Sequence, residues 1–278
     1  MLAPTSLAIA ESPNGCPRII VPDTPTDFVA LLKAIYLPGY VTLPLRRVSP
    51  LTFSVGSFLE PNKVPDFDTF SSLLKITAKY EMSTIRSWLL EVIRGAYPDT
   101  LEGVTTTKPL GENVFSGATP HPNEVLSLLV QQKLTSALQM AYYMAARRGI
   151  DSLMDRGLPM SARLSREILQ PMIRGLTALR ELELNETHRL ILGSKTSNPC
   201  FMRNCPIGGS DPHQSVIDRI TGASQSGTRV LEIPSLSGIC GCHPNGLGET
   251  CVRKWEAARA ELRKKAWDML PRVFGLEG

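Results

Sequence analysis

No apolar run in this 278-residue sequence approaches the ~18 residues of a membrane-spanning helix, so no membrane segment is expected. Charge of one sign is scarce as well. Lys+Arg number 30 against 26 for Asp+Glu, a formal net charge of +4, and no basic block stands out. Aromatics make up only 6%. A nucleic-acid surface needs clustered cations with stacking rings beside them, and this composition argues against one. Residues 1 to 10 are small and apolar but carry no basic stretch, and Thr5 and Ser6 interrupt them, which argues against a secretion signal. Six cysteines are too few for a disulfide scaffold of this length. The expected setting is therefore intracellular, cytoplasmic or nuclear, with reduced thiols. A phosphate loop is missing too. Gly238-x-x-Gly241 and Gly246-x-Gly248 do not open a helix with Lys and Ser/Thr in place. No nucleophile stands beside a base at suggestive spacing, so no enzymatic activity is expected.

What the sequence does contain is material for packing. Hydrophobic residues make up 42%, enough for a sizeable core. The stretch from Phe70 to Arg86 reads as two amphipathic helices joined by a sharp turn. Phe70, Leu73, Leu74 and Thr77 fall at helical spacing, with Tyr80 one turn further on. Ser83 is a good N-cap for the second helix, whose stripe is Ile85, Leu89, Val92 and Ile93. Upstream, Arg18-Ile-Ile-Val21 predicts a short strand between Pro17 and Pro22. Asp23-Thr24-Pro25 then starts a helix whose apolar face is Phe28, Leu31, Leu32 and Ile35.

The expected organisation follows from these signals. Residues 1–17 form a loose leader, and 18–98 form a first domain carrying a Pro-rich insertion at 37–66. Residues 99–120, rich in Thr, Gly and Pro, form a linker. Residues 121–278 form a helical C-terminal region. It holds a helical pair at 121–148 with Gly149 as a C-terminal cap. A helical stretch at 161–192 is broken or kinked at Pro171. A Cys-bearing Gly/Pro-rich segment spans 198–252, with a short helix at 212–221. The last helix runs from Trp255 to Leu270 and ends at Pro271.

The order Arg-Ile-Ile-Val21, Asp23-x-Pro-x-Asp27, Leu31-Leu32-x-Ala34-Ile-Tyr36, then Leu73-Leu74-x-Ile76-x-x-Lys79-Tyr80-Glu81-x-x-x-Ile85-Arg86 and Tyr97-Pro98 resembles the second half of a fungal, mushroom-type BTB/POZ domain. The tail Lys265-Ala-Trp267-Asp-Met-Leu270-Pro271-x-Val-Phe274-Gly275-Leu276 is similar to the end of the helical extension in such proteins. The resemblance implies a mainly α fold, the helical C-terminal half of a BTB/POZ-like domain followed by a helical extension. It also implies a protein partner. A complete domain of this type opens with a strand, a helix and a β-hairpin that build much of its dimer interface. Seventeen residues before Arg18 are too few for them, so the N-terminal half is expected to be missing. Neither the usual homodimer nor binding to a cullin-type scaffold carries over. Apolar helix faces left without that sheet are expected to be partly exposed, with marginal stability or compensation from residues 121–192.

The cysteines are the one group with candidate site chemistry. Cys200-x4-Cys205 and Cys240-x-Cys242 are two close pairs separated by a Gly/Pro-rich loop, and four thiolates suffice for a tetrahedral structural zinc. Cys251, His213 and His243 are possible substitutes. The Cys-x-Cys spacing is tighter than a zinc knuckle, and free, partly buried thiols are the stronger expectation. The histidines His121, His188, His213 and His243 read as exposed or capping residues. Trp88, Trp255 and Trp267 read as packing residues before interface anchors. Arg180-Glu-Leu-Glu183 and the run Arg253 to Lys265 read as solvated helix faces. The leading functional expectation is a non-enzymatic interaction module that docks through apolar helical surfaces. The alternative is a zinc-stabilised regulatory or nucleic-acid-binding protein centred on the C-terminal cysteines.

Overall fold

The computed structural model describes residues 9–11, 17–19, 21–36, 65–106, 114–149, 162–197, 230–232 and 249–277. The fold is mainly α-helical, as the periodicity predicts. It divides into two compact units, Met1–Val92 with Asn113–Thr119, and Ile93–Glu112 with Pro120–Gly278.

The first unit opens with two short antiparallel strands, β1 (Ile9–Glu11) and β2 (Pro17–Ile19), with Ala10 opposite Arg18. The expected strand at 18–21 is thus displaced towards the N-terminus, and its partner lies inside the stretch expected as a loose leader. Helix α1 (Pro25–Tyr36) starts where Thr24 and Pro25 direct it. Thr24 Oγ1 accepts from the Asp27 amide at 3.2 Å, and Pro25 occupies the first turn, where its missing N–H costs nothing. Helix α1 packs on α2 (Phe67–Lys79). Asp66 caps α2, its Oδ1 accepting from the Thr69 amide at 2.9 Å and its Oδ2 from the Thr69 hydroxyl at 3.0 Å.

The expected stripe of α2 is its core face. Phe70, Leu73, Leu74 and Thr77 are all fully buried. Thr77 is tolerated there because its hydroxyl donates to the Leu73 carbonyl one turn back, at 2.6 Å. Glu81 then turns the chain with a positive φ of 53°, and the Met82 amide closes back on the Thr77 carbonyl at 3.0 Å. Helix α3 (Ser83–Ala96) follows, so Ser83 lies inside the helix and not before it. Arg86 Nη1 donates to the Leu74 carbonyl at 3.2 Å, tying α3 to α2.

The stretch expected as a plain linker carries structure at both ends. Helix α4 (Leu101–Thr106) has Thr100 Oγ1 accepting from the Gly103 amide at 3.2 Å. At Asn113–Thr119 the chain belongs to the first unit. There Phe115 is buried edge-on against Phe67 and Phe70, with centroids 5.2 and 5.1 Å away. The Ser116 amide also donates to the Pro65 carbonyl at 3.3 Å, so a ring contact and a backbone bond together anchor this run.

The second unit is built on helices α5 (Pro122–Gln131), α6 (Thr135–Ala146), α7 (Arg166–Ser197) and α8 (Glu249–Val273), with a 3-10 turn at Val230–Glu232. Helix α6 packs against α5, α7 and α8. Helix α7 is continuous through Pro171, so of the expected kink or break there is no break. Helix α8 likewise continues two residues past Pro271. It ends as a Schellman motif: the Leu276 amide bonds to Pro271 O at 2.7 Å and the Gly275 amide to Arg272 O at 3.2 Å, with Gly275 at φ +67°. That stop leaves Phe274 buried and stacked on Tyr142, centroids 4.9 Å apart. The ring also lies so close to Gly175 that a β-carbon there would clash with Phe274 Cε1.

Candidate docking surface

Two faces of α1 have opposite fates. Ala30 and Leu31 are buried, and Asp27 and Ala34 beside them are half-buried. Val29 is 45% exposed, Leu32 38%, Ile35 45% and Tyr36 74%. At 100° per residue these four span an arc of about 120°. The sequence predicts burial for Phe28, Leu31, Leu32 and Ile35. Of these the structure buries Leu31, half-buries Phe28 and leaves Leu32 and Ile35 exposed, its buried face being rotated towards Ala30 and Ala34. Four of the six large apolar side chains exposed among the described residues lie on this helix, and a fifth, Tyr80, ends α2.

Tyr80, expected as a core residue, is 40% exposed and serves as the C-cap of α2. Its hydroxyl donates to Asp23 Oδ2 at 2.5 Å, while Lys79 Nζ donates to Asp23 Oδ1 at 2.6 Å. The Lys79 ammonium also stands 5.5 Å from the Tyr80 ring centroid. Desolvation works to raise the Asp23 carboxyl and is the largest single influence. The two hydrogen bonds and the lysine charge together outweigh it, and the group is held below the usual carboxylate range. Accepting that hydroxyl, the carboxylate pushes Tyr80 above the ordinary phenol value. No local sequence signal marks this cluster, since 56 and 57 residues separate Asp23 from its partners.

The candidate zinc ligands Cys200, Cys205, Cys240 and Cys242 lie outside the described residues, as do His213 and His243. Cys251 and Trp255 fall on α8 and His188 on α7, with their side chains outside the description. Among the described residues no group of three or more His, Cys, Asp or Glu is placed to hold a metal ion. His121 takes a capping role. Its Nδ1 accepts from the Asn123 amide at 3.2 Å, while its own amide donates to Glu124 Oε2 at 3.0 Å, a reciprocal box at the start of α5. Trp88 and Trp267 are buried packing residues.

The charge runs are less solvated than their composition suggests. Glu183 is 4% exposed. Arg263 is half-buried, and desolvation, reinforced by Arg259 one turn away, lowers its pKa. Arg259 Nη1 itself pairs with Glu256 Oε2 at 2.6 Å. Lys265 pairs with Glu186 and so links α8 to α7. Among the described residues no helix is long and apolar enough to cross a membrane. The chain matches no protein-family model, no curated protein and no solved structure.

Proposed function

We propose that this chain is a non-enzymatic protein–protein interaction module, BTB/POZ-like in the order of its packing motifs, that docks through the outer face of α1. The observation that carries the reading is the stripe Val29, Leu32, Ile35 and Tyr36, apolar at helical spacing and exposed. Singly exposed apolar residues are ordinary, whereas a contiguous row on one helix is a recognition feature. The occupant is an amphipathic helix of another protein, presenting apolar anchors at i, i+3, i+4 and i+7. Area favours that over a second copy of the chain. A helix of 12 residues is about 18 Å long and about 10 Å wide. That footprint falls far short of the about 800 Å² per partner of a stable interface and suits a transient contact.

The test is site-specific crosslinking in the source cells, with a photoreactive phenylalanine analogue in place of Tyr36. A discrete adduct is expected that disappears on Ile35→Asp in a chain whose melting is unchanged. No comparable adduct is expected from a probe at exposed Lys75 on α2. Equal adducts at both positions, or none at Tyr36, refute the reading, and an adduct of twice the chain mass replaces the partner by a second copy.

A further inference from the structure

Helix α1 is lightly held. It buries only Ala30 and Leu31, and Ala30 brings a single methyl group. Helix α2 buries six residues, and it has other partners: Phe115 lies edge-on to Phe67 and Phe70, and Arg86 of α3 donates to the Leu74 carbonyl. Helix α1 is also the principal neighbour of α2, but α2 keeps the Phe115 and Arg86 contacts when α1 leaves, whereas α1 has few buried side chains of its own to keep it folded. What supplements them is polar. Asp23, two residues before the start of α1, reaches the end of α2 and takes one donor on each carboxylate oxygen, Lys79 Nζ at 2.6 Å and the Tyr80 hydroxyl at 2.5 Å. The Asp23 side chain is 11% exposed but Lys79 and Tyr80 are 39% and 40% exposed, so these bonds are shielded from water on the acceptor's side only.

We infer that α1 is a releasable strap, fastened to α2 by the Asp23–Lys79–Tyr80 cluster and able to open while α2 and α3 stay folded. The imbalance in burial is the signature of a segment whose local opening costs less than global unfolding. Detached, a 12-residue helix is marginal in water, so release means local melting of α1 and not a rigid swing. Opening uncovers Leu31 beside Val29, Leu32 and Ile35. The meaning of that exposure, an enlarged docking segment, rests on the function proposed above, while the strap itself rests on the geometry alone.

Hydrogen–deuterium exchange of the full chain tests it. In the parent chain, peptides covering Ala30 to Tyr36 are expected to exchange at least about tenfold faster than those covering Phe70 to Thr77, and to exchange faster still in the variants, about fivefold in Asp23→Asn and about threefold in Tyr80→Phe. Lys75→Ala, on the exposed face of α2, is expected to alter neither. Unchanged or slower exchange of α1 in the variants overturns the fastening, and equal protection of α1 and α2 in the parent overturns the separability. Tyr80→Phe removes one oxygen and decides the matter if Asp23→Asn does not fold. Because no partner enters the measurement, its failure leaves the docking reading intact, and failed crosslinking at Tyr36 leaves the strap intact.

Discussion

Helices α1 and α6 are each 12 residues long and each dominated by apolar side chains, yet α1 buries two residues and α6 buries nine. Helix α6 is enclosed by α5, α7 and α8, and its alanines at 137, 141, 145 and 146 let those neighbours approach. Tyr143, fully buried there, accepts the Leu231 amide at 3.2 Å, so its one polar atom is satisfied. Helix α1 has one principal neighbour among the described elements, α2. Apolar content therefore does not decide burial; the number of elements that surround a helix does.

The sharpest way to break the comparison is to place the same charge on both helices. Ala145→Asp puts a carboxylate into the most enclosed part of the second unit. It is expected to cost more than about 4 kcal/mol, most of an ordinary stability margin, and to appear as loss of cooperative melting in circular dichroism. A soluble variant melting within a few degrees of the parent would show that α6 is not the centre it is taken for.

Steric rather than electrostatic stress comes next. Gly175→Ala forces its new methyl into the Phe274 ring, which is itself pinned against Tyr142. A loss of about 3 kcal/mol is expected by denaturant titration. Phe274→Leu combined with Gly175→Ala should recover part of it, because the smaller side chain vacates the clash. Without recovery, the contact would not be the cause.

A pH titration separates the first unit from these effects. The Asp23 pKa is depressed on folding, so its contribution is present at neutral pH and is lost as pH falls through the folded-state pKa. Tyr80 is raised on folding, so its contribution is present below the ordinary phenol pKa and lost as pH rises through the folded-state value. Asp23→Asn is therefore expected to be less stable than the parent by about 1 kcal/mol at pH 7, with the gap closing in acid. A gap that persists at the lowest pH would assign the effect to packing.

Much of the helical frame was legible from periodicity and caps. Thr24-Pro25, Phe70 to Thr77 and the pair at 122–146 carry local signals that tertiary packing did not override, while α6 has its C-cap at Arg147 and Gly149, at φ +82°, lies two residues beyond it. Pro171 and Pro271 do not end their helices, and the Trp267 carbonyl that Pro271 has no N–H to bond accepts from Gln139 Nε2 at 3.0 Å instead. Phe115 and the Asp23 cluster were hidden for another reason: their meaning lies in partners distant in sequence, which no window of residues reveals. The rotation of α1 was hidden likewise. An apolar helix offers several stripes, and only the neighbour selects one.

That selection sets the smallest and most discriminating expectation. Ile35→Asp on the open face of α1 should change stability by less than about 1 kcal/mol, since its side chain already meets water. Leu31→Asp, four residues away on the buried face, should cost clearly more. The pair shares a helix, a substitution and nearly a side chain, so propensity and unfolded-state effects largely cancel in the difference. If the two costs prove equal and large, some part of the chain covers Ile35, and the stripe is core rather than a docking surface. If they prove equal and small, α1 is not packed on α2 at all. A large cost at Leu31 with a small one at Ile35 is the outcome that keeps one face for the fold and leaves the other for a partner.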